Sequence, residues 1–178
     1  MKKSFLLLAG LILLAFTACQ NDELVNGGSG NETAVSFSVQ LPGANAPSTR
    51  AAGDGTQVNR CIMEIYLGDK LYGERQVVPV DGKTATFNVR LVTSQTYDFV
   101  FWADVSGEGG IKADRHYQTT NGLQNISLLG TYAGNDDSCD AFTGVLLSKL
   151  VTGAFNEAVE LTRPFGQLNI KTTDLESI

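Results

Sequence analysis

Residues 34–41 read AVSFSVQL, and this short stretch indicates the fold class of the chain. Its apolar side chains alternate with small or polar ones, and they are Val35, Phe37, Val39 and Leu41. A period of two is typical of a β-strand with one buried face and one solvated face. Pro42 ends the pattern because it cannot donate to a central ladder.

The same alternation recurs in eight later segments of the chain. Further strands are predicted at residues 61–67, 71–80, 85–91, 97–105, 123–129, 141–147, 154–161 and 165–172. Gly68-Asp69 and Asp81-Gly82 predict tight turns between them. Short strands with frequent turns predict an all-β sandwich of about seven to nine strands, whereas the βαβ spacing of a nucleotide-binding fold is absent from the pattern.

The first residues predict export and lipidation. Residues 1–18 combine Lys2 and Lys3, an apolar run at 5–16, and small residues before Cys19. This order is typical of a secretory signal, and its end resembles a bacterial lipobox with Cys19 as the acylated residue. A transmembrane anchor and a chance cysteine behind a soluble-export signal are the alternatives. Residues 19–33 are then a lipidated, glycine-rich tether, and residues 34–178 are one β-sandwich domain.

Composition excludes several classes of function. Of the 178 residues 43% are hydrophobic, and 13 Lys and Arg stand against 19 Asp and Glu, a formal charge of −6. Such an acidic chain does not fit nucleic acid as a partner. With one His and three Cys, a clustered His/Cys metal site is nearly excluded. We therefore expect no enzyme, no cofactor and no metal.

Individual candidate residues each have two interpretations. The sequence contains no nucleophile motif such as G-x-S-x-G that His116 could serve as a base, so His116 is expected to be a surface histidine. Asp136, Asp137 and Asp140 form an acidic turn rather than an ordered Ca²⁺ loop. Trp102 either packs under a covering layer or offers a platform for a sugar ring.

Cysteine pairing is also open. In an oxidising compartment Cys61 and Cys139 form either a disulfide or two small buried apolar groups.

Several segments together resemble a known family. They are residues 60–66 (RCIMEIY), 97–105 (YDFVFWADV), 135–142 (NDDSCDAF) and 161–170 (LTRPFGQLNI). Behind a lipoprotein signal, this set is similar to the amino-terminal domain of fimbrillin-like lipoproteins of Bacteroides, in a branch of uncharacterised function. The resemblance implies a Greek-key, transthyretin-like sandwich on the outer membrane, without catalysis, that forms type V pili of the fimbrium.

The resemblance also implies a route of assembly. A protease would cut after an arginine in the loop behind the first strand, which places the cut at Arg50. The strand bearing Val35, Phe37, Val39 and Leu41 would then leave as a detachable edge segment, and a strand of another pilus subunit would replace it. A full fimbrillin continues into a second domain, which we expect to be missing here. The function expected is therefore that of a surface structural or adhesin-type protein, and the alternative is a glycan-binding lipoprotein that uses Trp102.

Overall fold

The computed structural model describes residues 31–42, 55–131 and 136–165. In these ranges the chain is all-β, with ten strands and two short 3₁₀ helices. The strands are β1 Glu32–Gln40, β2 Arg60–Leu67, β3 Lys70–Leu71, β4 Gln76–Pro79, β5 Thr84–Val92, β6 Gln95–Asp104, β7 Tyr117–Gln118, β8 Ser127–Leu128, β9 Ala141–Val151 and β10 Phe155–Glu160. The 3₁₀ helices are Leu123–Asn125 and Asp137–Cys139. No helix in this part of the chain has the length and apolar character needed to span a bilayer.

Two sheets form a sandwich. The first has the order β10-β1-β5, with β1 antiparallel to β5 and parallel to β10. The second has the order β3-β2-β6-β9, and β4 also pairs with β2. Alternation along β1, β5 and β6 directs aromatic and aliphatic side chains into the space between the sheets, as the sequence predicted.

The core between the sheets is rich in aromatic rings. Phe37 of β1 lies 4.7 Å from Phe99 and 5.6 Å from Phe101, measured between ring centroids. Phe87 of β5 contacts Phe101 from the same side, at 6.0 Å. These edge and tilted contacts join the two sheets through one continuous apolar layer.

A third layer covers the opposite face of the larger sheet. We call it the outer layer, and it comprises residues 105–131 and 136–140. It packs over Ile62 and Trp102, with Tyr117 and Leu123 as its main apolar contacts. The strand predicted at 123–129 is instead a 3₁₀ helix followed by the two-residue β8, because this segment covers a sheet rather than extending one.

The predicted turns are present. Gly68 lies at φ +61° in the hairpin that joins β2 to β3. Gly82 and Lys83 both have positive φ values in the second turn, the geometry of a type I′ turn. That second turn joins strands of different sheets, so it closes one end of the sandwich. Of the strand predicted at 165–172, only residue 165 lies within the described residues.

Candidate functional site

An aromatic pocket opens between the larger sheet and the outer layer. It encloses about 360 Å³ and is lined by Trp102, Tyr117, Ile126, Ser127, Leu128 and Phe165. β6 supplies Trp102 from its outer face, and β7 and β8 supply the walls. Phe165 reaches the pocket from the segment that follows β10. We call this cavity the aromatic pocket.

The three rings of the pocket differ in exposure. Tyr117 and Phe165 stack with an interplanar angle of 15° and centroids 5.7 Å apart. Trp102 meets Tyr117 edge-on at 5.3 Å. Phe165 is 48% exposed whereas Trp102 is only 4% exposed. Phe165 is therefore the outermost ring, and Trp102 packs under the outer layer, the first of its two interpretations, rather than forming an open platform.

The indole of Trp102 is hydrogen-bonded to a buried ion pair between Arg60 and Asp104. The indole Nε1 donates to Asp104 Oδ2 at 3.0 Å. Arg60 donates to both oxygens of the same carboxylate through Nε and Nη2. The guanidinium also donates to the backbone oxygen of Ala113 at 3.0 Å and to Asp114 Oδ1 at 3.0 Å. One arginine thus ties β2, β6 and the first loop of the outer layer together.

The electrostatics of this network favour its charged state. Burial opposes the charge on Arg60, but the hydrogen bonds and charges of Asp104 and Asp114 raise its pKa. Burial likewise opposes ionisation of Asp114, but hydrogen bonds from Thr119, followed by those from Arg60, lower its pKa. Arg60 and Asp114 therefore stabilise each other's charged forms within the network.

A second buried carboxylate anchors the other half of the outer layer. Glu64 accepts hydrogen bonds from Tyr66 Oη at 2.5 Å and from the backbone N–H of Leu123 at 2.7 Å. Its other oxygen lies 3.5 Å from Arg75 Nε. Burial and the adjacent Glu64 raise the pKa of Tyr66. This arrangement fixes the start of the first 3₁₀ helix on the sheet.

A larger and more polar cavity lies at one end of the sandwich. It encloses about 620 Å³, and its lining includes Glu32, Ser36, Tyr72, Asn88, Arg90 and Asn156. Arg90 and Glu32 form an exposed ion pair at 3.2 Å. The cavity offers hydrogen-bonding groups of both polarities, a composition that suits a polar ligand.

The predicted displaceable strand is fully integrated. Val35, Phe37, Val39 and Leu41 are all buried in the core. The expectation of an edge segment is wrong: β1 is the central strand of its sheet, because β10 pairs with its free side from Val35↔Phe155 to Gln40↔Glu160. Cys19 and Arg50, the predicted sites of lipidation and cleavage, lie outside the described residues.

Cys61 and Cys139 are not joined to each other, so the disulfide alternative is wrong for this structure. Cys61 is buried in the core between the sheets, whereas Cys139 lies in the outer layer. The larger sheet therefore separates the two cysteines. Burial raises the pKa of the Cys61 thiol to about 12, which leaves it protonated and unreactive.

The acidic turn does not gather its three carboxylates. Asp136 accepts the backbone N–H of Ser138 and caps the second 3₁₀ helix. Asp140 is buried and accepts the N–H of Gly55 at 3.1 Å and an ion pair from Arg163 at 2.8 Å. The expectation of a wholly solvated turn is therefore wrong for Asp140, which fixes the chain entering β9.

Sequence reasoning missed Phe165, the outermost ring of the aromatic pocket, and Arg60, the centre of the ion-pair network that contacts Trp102 through Asp104. Arg60 opens a strand that is apolar apart from Glu64 and Tyr66, and a charge in such a strand signals a buried partner. Phe165 follows Pro164 beyond the last described strand, where no local pattern marks it as part of a pocket.

Comparison with known proteins gives a family and one distant solved structure. No curated protein shows significant sequence similarity to the chain. A Bacteroides thetaiotaomicron crystal structure described as "putative polysaccharide binding proteins (DUF1812)" is 12% identical, with a TM-score of 0.40. The match covers 74% of this chain but only 47% of that one, so the chain spans about half the length of the structure it matches. The model of a family of unknown function (DUF6562) matches residues 27–178, and the chain belongs to this family.

Proposed function

We propose that the chain is a non-enzymatic, surface-displayed protein of structural or adhesin type, related to type V pilus subunits or to their anchor or tip components. In this proposal Cys19 carries the acyl chains that hold the protein on the outer membrane. Other subunits join it by strand addition after cleavage at Arg50.

The observation that supports this proposal is the position of β1. This strand lies between β5 and β10, and it is joined to β2 through a long connection that contains Arg50. A body without β1 would have two unpaired backbone edges that face one apolar slot. We call this space the β1 slot.

The energetics of the β1 slot favour refilling it. The strand and the residue after it bury four apolar side chains, Val35, Phe37, Val39 and Leu41, each worth roughly 1.5–3 kcal/mol of transfer free energy. An open slot would also leave unpaired the backbone groups of β5 and β10 that now bond to β1. A strand with the same alternation, supplied by another subunit, would satisfy both demands by β-augmentation.

Limited trypsin digestion tests the proposal. The full chain should yield a body whose new amino terminus is Ala51, and Arg50→Gln should abolish that terminus. Arg115→Gln, in an exposed loop, should leave it unchanged.

The clipped body should then bind a labelled peptide of residues 31–42 and form oligomers. The same peptide with Phe37 and Val39 replaced by Ser should not bind. A clipped body that retains β1, ignores the peptide and stays monomeric would overturn the proposal.

A second candidate function is the binding of a surface glycan at the aromatic pocket. The observation that favours it is Phe165, a half-exposed ring stacked on Tyr117 at the mouth of a cavity. A flat ring of this kind can pack against the apolar face of a sugar, while Ser127 supplies a hydroxyl at the rim.

A glycan array tests this candidate directly. Phe165→Ala should remove the array signal, whereas Leu147→Ala, which truncates another exposed apolar side chain, should retain it. Trp102→Ala is unsuitable as the sole variant because that ring is buried and structural. An array signal that Phe165→Ala leaves unchanged, or no signal at all, would eliminate glycan binding at this pocket.

A further inference from the structure

Three side chains of different chemistry converge at one edge of the outer layer. They are His116, Asp136 and Cys139, and one ligand atom of each lies within 4.8 Å of the others. His116 directly precedes β7, whereas the other two belong to the second 3₁₀ helix and its cap. The first two are half-buried and Cys139 is buried. Segments far apart in sequence thus bring a nitrogen, an oxygen and a sulfur donor together.

Backbone contacts fix the two segments to each other. β7 and β8 pair antiparallel as a hairpin, and the carbonyl oxygen of His116 accepts the N–H of Leu129 at 2.7 Å at the end of this pair. Tyr117 Oη donates to the carbonyl oxygen of Cys139 at 2.6 Å. These hydrogen bonds therefore fix the backbone of His116 and that of Cys139 relative to each other.

A hydroxyl group links the other two donors. Ser138 Oγ lies 2.9 Å from His116 Nε2 and donates to Asp136 Oδ1 at 2.6 Å. Both donors therefore already face a shared point. A bound cation would take over the role that this hydroxyl group now has between them.

We propose that His116, Asp136 and Cys139 form a binding site for a zinc-class divalent cation. Imidazole nitrogen, carboxylate oxygen and thiolate sulfur are the ligands that Zn²⁺ takes in proteins. One thiolate and one carboxylate neutralise its two charges. Water or the Ser138 hydroxyl takes the fourth position.

The geometry requires only a small adjustment. Ligand atoms around a tetrahedral zinc ion, at bond lengths of 2.0–2.3 Å, lie roughly 3.3–3.8 Å apart. The separations here reach at most 4.8 Å, so a contraction of about 1 Å, achieved by side-chain rotation, completes the site. On binding, the zinc–sulfur bond forms, the Cys139 thiol proton passes to solvent, and the ion releases water molecules.

Cobalt and zinc titrations of the full chain test the site. Co²⁺ should bind with one-to-one stoichiometry and give a thiolate-to-cobalt charge-transfer band in the near ultraviolet, which Zn²⁺ should displace. Cys139→Ser should abolish the band. His116→Gln and Asp136→Asn should weaken the apparent affinity for Zn²⁺ about tenfold or more. Substitution of residues that only hydrogen-bond to metal ligands already has effects of that size.

Matched controls separate this site from the other thiols and acids. Asp137→Asn changes the neighbouring carboxylate, Cys61→Ala removes the buried core thiol, and Cys19→Ser removes a sulfur that is a thiol only in the unacylated chain. All three should leave the titration unchanged. Asp136→Asn keeps an oxygen that can cap the helix, and Cys139→Ser is nearly isosteric, so circular dichroism of both should match the parent protein. Zinc should also raise the urea midpoint of the parent but not of Cys139→Ser.

The proposal is overturned if the parent protein gives no charge-transfer band. It is equally overturned if the band survives Cys139→Ser, or if Cys61→Ala or Cys19→Ser removes it. None of these outcomes would bear on strand exchange or glycan binding, because those proposals use other residues.

Discussion

Arg60 and Asp104 face each other across β2 and β6 and form a two-point ion pair that is almost completely buried. The pair lies between the core of the sandwich and the outer layer. Its carboxylate also receives the indole N–H of Trp102. The attachment of the aromatic pocket to the sheet therefore depends on one arginine and one aspartate.

We expect Asp104→Asn to destabilise the protein by about 3 kcal/mol, because the buried guanidinium loses its two-point carboxylate partner and, of the described carboxylates, keeps only Asp114 as a counter-charge. Urea unfolding measures the change. Glu32→Gln is the matched control, since its ion pair with Arg90 is exposed and should be worth less than about 1 kcal/mol. Equal losses in the two variants would show that the buried pair has no special weight.

Alkaline pH should destabilise the fold. Burial raises the pKa of Cys61 from 9.0 and that of Tyr97 from 10.0, in each case to about 12. Their contribution is complete below the unfolded values and is lost as pH rises toward 12, because the unfolded chain releases protons that the folded one retains. Urea midpoints should therefore fall from about pH 9 upward, and Tyr97→Phe should give a shallower fall. A midpoint that is constant over this range would contradict the prediction.

We expect Gly107→Ala to destabilise the protein by about 1–3 kcal/mol. A Cβ atom there would lie 2.6 Å from the carbonyl oxygen of Asp114, a backbone atom that cannot move without disturbing the Arg60 network. Gly153→Ala is the control, because its Cβ would meet nothing within 4 Å. Thermal unfolding should separate the two variants, and similar melting temperatures would refute the steric argument.

Phe37→Ala should cost about 3–5 kcal/mol, since this ring is fully buried against Phe99, Phe101 and Phe155. Phe165→Ala should cost less than about 1 kcal/mol because half of that ring is exposed. Chemical denaturation provides the comparison. A small loss for Phe37 would mean that β1 contributes little to the core, and would weaken the strand-exchange proposal with it.

The sequence predicted the strands well where alternation was strong. β1, β5 and β6 appear with the expected faces inward, and the turn at Gly68 has the expected geometry. Their side chains face either core or solvent, and period-two patterns record that choice directly. The outer layer was not predictable in the same way, because irregular segments such as Leu123–Asn125 carry no period.

Pairing over long distances was also beyond the sequence. The parallel contact of β1 with β10 changes β1 from an edge strand to a central one, and no local pattern encodes a partner so far along the chain. The same limit applies to the proximity of His116, Asp136 and Cys139, on which the zinc proposal rests. One His and few Cys argued against a metal site, but the β7–β8 hairpin places His116 beside Asp136 and Cys139.

The pairing of the first described strand with the last also affects the timing of biosynthesis. Ser36 contacts Asn156, which lies 120 positions later. At a synthesis rate of about 5–20 residues per second, the ribosome needs roughly 6–24 s to make that second strand. During this interval the nascent chain contains an apolar strand, β1, whose partner β10 has not yet been synthesised. Until translation of the remainder is finished, this unpaired segment is a site at which the nascent chain can aggregate.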